Sequence, residues 1–339
     1  MVRQSDGDGW HADELNPCGS GGRAAKLRTV SRALWIWLLA LAALLHVEPA
    51  SADAERVRSA LASVRFVAYT PRGFDPDGGG AAPSREALRA DLALLRPYFD
   101  GIITYSCANG LDALPELARE AGFRAVILGV WSPSDSGELG RALAAARTER
   151  GVVIALALGN EGLFFARYDA ATLSAAFARA RAERPDLALA TSEPFSVYLE
   201  PARAAALPRQ DFLLPNVHPV DQPWFGSAPP ATSVDFVANV AALLEARFAL
   251  PVLVKETGLP SGPTADGFSE SSQAAFWSAL AKRLPPTRAH AFAWFEAFDS
   301  PWKPGRALAA PPEKRAREAY WGLFHGDGSA KPALGGIPH

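Results

Sequence analysis

A single closed (β/α)8 barrel is the fold this sequence predicts, and three observations carry it. After residue 52, eight short apolar runs alternate with helix-like stretches. The length that follows suits such a barrel, which takes about 250 residues and tolerates insertions. The competing architecture, a doubly wound open sheet, would place a glycine-rich phosphate loop after its first strand. The chain there reads TPRGFDPDGGG and holds no G-x-G-x-x-G. No linker or change of composition marks a second domain, so residues 53–339 read as one α/β domain.

The apolar runs lie at 64–70, 101–106, 124–131, 152–160, 187–193, 211–218, 251–256 and 289–296. They are mostly apolar instead of alternating, which fits strands covered on both faces. Ser84 is placed to cap the first intervening helix, with Leu88, Leu92 and Leu95 on one face. A short helix at 112–121 follows the second strand. The Ala-rich segments 138–150 and 169–183 are amphipathic and cover the third and fourth. A weaker helical segment, 201–207, follows the fifth. Thr232 with Asp235 resembles a capping box ahead of Phe236, Val237, Val240 and Leu244. Segments 269–284 and 312–321 supply helices after the last two strands.

Residues 1–52 read as a signal peptide with a long basic region. Arg23, Lys26, Arg28 and Arg32 precede an apolar run from Ala33 to Leu45. That run is too short for a spanning helix of ~20 residues. It matches the apolar core of a signal peptide, and Ala50-Ser51-Ala52 offers small residues at the cleavage positions. An exported protein, periplasmic or extracellular, is expected, with an uncleaved N-terminal anchor as the alternative. Cys18 lies in this segment, and Cys107 would be the lone cysteine after cleavage. A net charge of −2 gives no electrostatic reason to expect nucleic acid or an anionic membrane as partner. A monomer without stable membrane insertion is expected.

Two glutamates end apolar runs. Glu161 follows VVIALALGN, and Glu256 follows PVLVK. A carboxylate at the C-terminal mouth of a parallel barrel strand is placed to do chemistry. Two of them across one pocket are the minimal machinery for cleaving a glycosidic bond. Each alone could be an ordinary strand end leading into a loop. For Lys255-Glu256 the plain reading is a surface ion pair, but neighbours in a strand point to opposite faces. Tyr69 and Tyr105 close the first and second runs and are candidate substrate contacts.

The ordered segments Gly159-Asn160-Glu161, Glu256-Thr257-Gly258-Leu259-Pro260-Ser261, Phe295-Glu296-Ala297-Phe298-Asp299-Ser300-Pro301-Trp302-Lys303 and Trp321-Gly322-Leu323-Phe324 together resemble family 17 glycoside hydrolases. This is the β-1,3-glucanase and β-1,3-glucan transglycosylase family of clan A, and the likeness runs from Phe66 to about Leu334. It implies that Glu161 is the general acid/base, that Glu256 is the nucleophile and that Asn160 hydrogen-bonds the sugar 2-hydroxyl. It adds Glu296 and Lys303 as substrate contacts. Two departures stand out. Family members often carry a Tyr after the sixth strand that supports the nucleophile, where this chain has His218. After the eighth strand many have Asp-Glu where this chain has Asp299-Ser300.

Sugars present flat apolar faces, so aromatic rings line their clefts. Trp131, Trp224 and Trp302 follow the third, sixth and eighth strands in polar loops and are candidate stacking platforms. Trp277, Phe292 and Trp321 read as core. The six histidines form no H-x-H or H-E-x-x-H pair, and G-x-S-x-G and phosphate-loop motifs are absent. The expected activity is retaining hydrolysis of β-linked glucan, most simply β-1,3-glucan, with no cofactor and no metal. Transglycosylation through the same intermediate is the first alternative. A non-catalytic carbohydrate-binding barrel is the second.

Overall fold

The computed structural model describes residues 52–337 apart from 77, 80 and 307–311. The basic stretch, the apolar run and Ala50-Ser51 lie outside the described residues. The elements follow in the order α1 (Ala52–Ser63), β1 (Phe66–Ala68), α2 (Arg85–Leu95), β2 (Gly101–Ile103), α3 (Leu114–Glu120), β3 (Ala125–Val130), α4 (Ser136–Thr148), β4 (Val153–Asn160), α5 (Ala170–Glu183), β5 (Ala188–Pro194), α6 (Phe195–Leu199), α7 (Pro201–Ala206), β6 (Leu214–Asn216), α8 (Pro230–Phe248), β7 (Val252–Val254), α9 (Glu270–Arg283) and β8 (His290–Trp294). All eight strands are parallel, in the order β6-β5-β4-β3-β2-β1-β8-β7. The seam between β6 and β7 is closed by bridges Leu213–Val252 and Asn216–Glu256. The Leu253 amide donates to Leu213 O at 2.9 Å, and the Val217 amide to Glu256 O at 2.7 Å. The predicted (β/α)8 barrel is therefore what forms.

Two apolar layers hold it. Leu88, Leu92 and Leu95 of α2, Leu139 and Leu143 of α4, and Trp277 and Leu280 of α9 pack against the outward strand residues. Phe66, Ile103, Ile127, Leu214 and Leu253 fill the lumen at its N-terminal end. Helix α1 adds Val57, Ala60 and Leu61 to this second layer and so covers the barrel floor. Truncating a buried Leu in such a core costs ~2–5 kcal/mol.

Several ends follow the expected chemistry. Ser84 caps α2 by accepting from the Ala87 amide, and Asp169 caps α5 through the Thr172 amide. Ser269 and Ser272 form a reciprocal box at α9. Two expectations are corrected, and one element was not expected. Helix α8 starts at Pro230, with Pro229 at the cap, so Thr232 and Asp235 lie inside it and form no box; Pro in the first turn loses no helical donor. Segment 312–321 is one α turn followed by a 3-10 turn at Ala316–Ala319, not one helix. Helix α1 answers to no predicted element.

Candidate active site

The two glutamates lie at the ends of β4 and β7. Pairing of β4 with β5 shifts register between Ala157 and Asn160, which turns the chain toward the mouth. Gly159 sits at φ +81, and a Cβ there would fall 1.9 Å from the Tyr168 hydroxyl oxygen. Only Gly meets both demands. Glu161 itself has φ +53, an uncommon conformation for a residue with a Cβ. Its amide is fixed by donation to Ser192 O at 2.7 Å.

Glu161, His218 and Glu256 each bring one side-chain atom to within 4.8 Å of the other two. Asn216 donates from Nδ2 to Glu161 Oε1 at 2.9 Å and to Asn160 Oδ1 at 3.3 Å, while its own Oδ1 accepts from Ser192 Oγ at 3.0 Å. Lys255 Nζ donates to Glu256 Oε1 at 2.9 Å and to Asn160 Oδ1 at 2.6 Å. His218 Nε2 is 3.5 Å from Glu256 Oε2. Glu296 accepts from Lys303 Nζ at 2.5 Å. The Tyr105 hydroxyl is buried without a partner that meets hydrogen-bond geometry, and Lys255 Nζ sits 4.1 Å from its ring centre.

This arrangement separates the two carboxyls electrostatically. Burial and the negative charge of Glu256 raise the Glu161 pKa above the usual carboxylate range, against the Asn216 hydrogen bond and the charges of His218 and Lys255. Burial also works against ionisation of Glu256, but Lys255 and His218 outweigh it and hold that carboxyl well below the usual range. One carboxyl is thus favoured protonated beside another favoured ionised, the pairing that acid and nucleophile require. Glu161, His218 and Glu256 also have the spacing of a metal-ligand trio. The Lys255 ammonium already supplies the positive charge against Glu256, which disfavours a cation there.

The BtgE/BtgC glycoside hydrolase domain matches residues 67–322, most of the chain and both glutamates. The chain belongs to this family. No curated protein matches it. Among solved structures, an endo-laminarinase from Formosa Hel1_33_131 superposes with a TM-score of 0.61 at 19% identity, over 84% of this chain and 88% of that one. A glycoside hydrolase family 17 β-1,3-glucanosyltransferase from Rhizomucor miehei gives 0.58 at 19%, over 80% and 96%. An active-site mutant of the Rhizomucor miehei transferase in complex with laminaritriose gives 0.58 at 18%, over 81% and 96%. These likenesses agree with the barrel.

The remaining candidates of this glycoside hydrolase divide by position. Asn160, Tyr105 and His218 belong to the central cluster, and Glu296 with Lys303 flanks it. Trp131 is 41% exposed and stacks on Arg167, whose guanidinium lies 4.1 Å from the ring centre and also donates to the Asn160 carbonyl. Trp224 packs edge-on against Phe236, and Trp302 lies half-buried beside Lys303. Tyr69 is the exception. It is 1% exposed, and its hydroxyl donates to Asp91 of α2 at 3.0 Å, so its polar end is spent between barrel and helix. Asp299, at the departure after β8, accepts from Lys331 at 2.6 Å and from the Gly322 amide at 3.0 Å.

Four site residues were not singled out from the sequence. Asn216 ends β6 as a polar residue in an apolar run, and Ser192 lies in the polar Thr191-Ser192-Glu193 stretch of β5, which is the signal they offered. Glu193, 0% exposed, accepts from the Leu163 and Phe164 amides at 3.0 and 3.1 Å, bracing the loop after Glu161. Strand alternation speaks against a Lys255–Glu256 pair, yet the long Lys255 side chain curls to Glu256 at 2.9 Å, and the pair is buried in the site instead of lying on the surface. Hollows lined by Arg58, Glu245 and Ala289, and by Leu207, Gln210 and Leu250, hold none of these groups.

Proposed function

We propose that this glycoside hydrolase acts on β-1,3-glucan by double displacement, with Glu256 as nucleophile and Glu161 as acid/base. The observation that carries this reading is the pair of carboxyls within 4.8 Å, pushed in opposite pKa directions. Retaining enzymes hold their carboxyls ~5–5.5 Å apart, and inverting ones ~6.5–9.5 Å apart. A Glu256 oxygen attacks the anomeric carbon as the bond to the leaving oxygen breaks, and that oxygen takes the proton of Glu161. The second step runs in reverse: Glu161, now a base, removes a proton from the incoming hydroxyl as the ester to Glu256 breaks. Asn160 donates to the sugar 2-hydroxyl, and Tyr105, His218, Glu296 and Lys303 surround the reacting sugar. Trp131, Trp224 and Trp302 are outer stacking contacts.

Water as the incoming group gives hydrolysis and a sugar hydroxyl gives transfer. The solved relatives include a laminarinase and a glucanosyltransferase, which supports glucan as the substrate class for both outcomes. The basic N-terminal stretch and the apolar run after it support export of the enzyme, with release by cleavage near Ala52.

Incubation with β-1,3-glucan oligosaccharides tests this reading. Shorter chains alone mean hydrolysis, and longer chains alongside them mean transfer. Glu256→Gln should stop both while the protein stays folded, because an amide of the same shape forms no glycosyl ester. Glu161→Ala should keep the first step on an aryl glycoside with a good leaving group. Azide should then speed the second step and yield a β-glycosyl azide. An α product, or an active Glu256→Gln protein, would refute the assignment.

A further inference from the structure

Lys255 is 1% exposed at the end of β7. An ammonium placed there is costly unless it is fully paired. Its three donors are taken up by Asn160 Oδ1 at 2.6 Å, Glu256 Oε1 at 2.9 Å and Ser192 Oγ at 3.3 Å. These acceptors stand at the ends of β4, β7 and β5. The adjoining seam between β6 and β7 is made by backbone hydrogen bonds, so the lysine side chain does not close the barrel.

We propose that Lys255 is a positioning residue that sets two reacting groups at once, turning the Asn160 amide nitrogen toward the substrate and leaving Oε2 of Glu256 as the attacking oxygen. The proposal rests on the double-displacement reading above. An ammonium only donates, so the Asn160 atom it faces must be the carbonyl oxygen. Asn216 Nδ2 donates to that same oxygen at 3.3 Å. Both acceptor positions of Asn160 are then filled, and its NH2 is left for the sugar 2-hydroxyl. On Glu256, Oε1 is occupied by Lys255, whereas Oε2 is 3.5 Å from His218 Nε2 and outside good hydrogen-bond range. Oε2 therefore keeps its lone pairs for the anomeric carbon. As the new C–O bond forms at Oε2, Oε1 becomes the ester carbonyl oxygen and still accepts from Lys255. When the ester breaks, the electron pair returns to the carboxylate.

The charge around Glu256 gives this a pH signature. Glu161 faces it from β4, His218 from beyond β6, Tyr105 from beyond β2, and Glu296 with its partner Lys303 from beyond β8. Without the Lys255 charge, Glu256 sits among two other glutamates, and its carboxyl holds its proton to higher pH.

Lys255→Met, close in shape and uncharged, tests the proposal on an aryl β-1,3-gluco-oligosaccharide and its 2-deoxy counterpart. Three results are expected. The acid limb of kcat/KM moves up by a pH unit or more. The preference for the 2-hydroxyl substrate falls by about tenfold, the size associated with one hydrogen bond to a charged or transition-state group. Asn160→Ala costs much less in the Lys255→Met background than alone. A folded variant whose acid limb stays in place would overturn the proposal, as would an unchanged response to the 2-hydroxyl. If Lys255→Met does not fold, Lys255→Gln is measured in the same way; failure of both to fold would assign Lys255 to the barrel and overturn it too. An active Glu256→Gln protein would instead mark failure of the underlying double-displacement reading.

Discussion

Burial of Glu193 should make the stability of this enzyme depend on pH. The carboxyl is 0% exposed, and burial pushes its pKa up to about 7, against the Leu163 and Phe164 amides that donate to it. The ordinary glutamate value is 4.5. The folded state therefore holds this proton more tightly than the unfolded chain does. The stabilisation is complete below the ordinary value and is lost as pH rises through about 7. Each pKa unit is worth ~1.36 kcal/mol, so the span corresponds to roughly 3 kcal/mol. Glu193→Gln removes the titration while keeping an oxygen for one of the two amides. Urea unfolding of both proteins from pH 4.5 to 8.5 measures it. The wild type should lose about 3 kcal/mol relative to the variant over that range. A difference that is flat with pH would refute the reasoning and place the charge-stabilising amides ahead of burial. Because those amides belong to the loop after Glu161, the variant should also lose activity.

Three further outcomes are expected. In Glu256→Gln, the Glu161 carboxyl should titrate at lower pH than in the wild type, since a neighbouring negative charge is gone while Asn160 and Ser192 still hold the Lys255 charge nearby; carbon NMR of labelled glutamates reads this directly, and an unmoved midpoint would uncouple the pair. His218→Phe should lower activity and narrow its own stability deficit as pH rises: burial disfavours the charged ring, but Glu256 outweighs it and raises the His218 pKa, so the pairing is fullest in acid and fades as pH climbs through that raised value. Melting temperatures across pH in both proteins test the sign. Trp302→Ala or Trp224→Ala should weaken long glucans more than short ones, by about tenfold or less, because one stacked ring contributes ~1 kcal/mol beyond its burial; a loss equal at every chain length would make the ring a support of the central site.

The barrel was legible because parallel strands covered on both faces need unbroken apolar runs, and eight such runs survive in the chain. Their ends were less legible. The runs 64–70 and 251–256 contain three-residue strands, and backbone hydrogen bonds from Tyr69 to Ile103 O and from Lys255 to Pro215 O continue each pairing toward the mouth. Sequence spacing does not fix where the side chains of these two residues go. The long Lys255 side chain reaches Asn160, Ser192 and Glu256 and joins the site, whereas Tyr69 turns to Asp91 and leaves it. Glu161 and Glu256 were legible because each ends an apolar run with a carboxylate. Asn216, Ser192 and Glu193 were harder to find, since their partners come from other strands that sequence spacing does not bring together. Helix α1 was not legible because only four buried apolar residues, Ala54, Val57, Ala60 and Leu61, mark its 12 residues.

That helix ties the chain ahead of β1 to the barrel floor. Arg56 of α1 reaches across the floor and donates to the carbonyls of Arg150, Gly151 and Val153, the entry to β4. The far end of the same strand presents Asn160 and Glu161, ~26 Å away at ~3.3 Å per residue over its eight residues. The family match starts only at residue 67. A chain trimmed to that boundary keeps Glu161 and Glu256 and loses the mooring of the strand that leads to Glu161. The folded unit is thus longer than the matched segment.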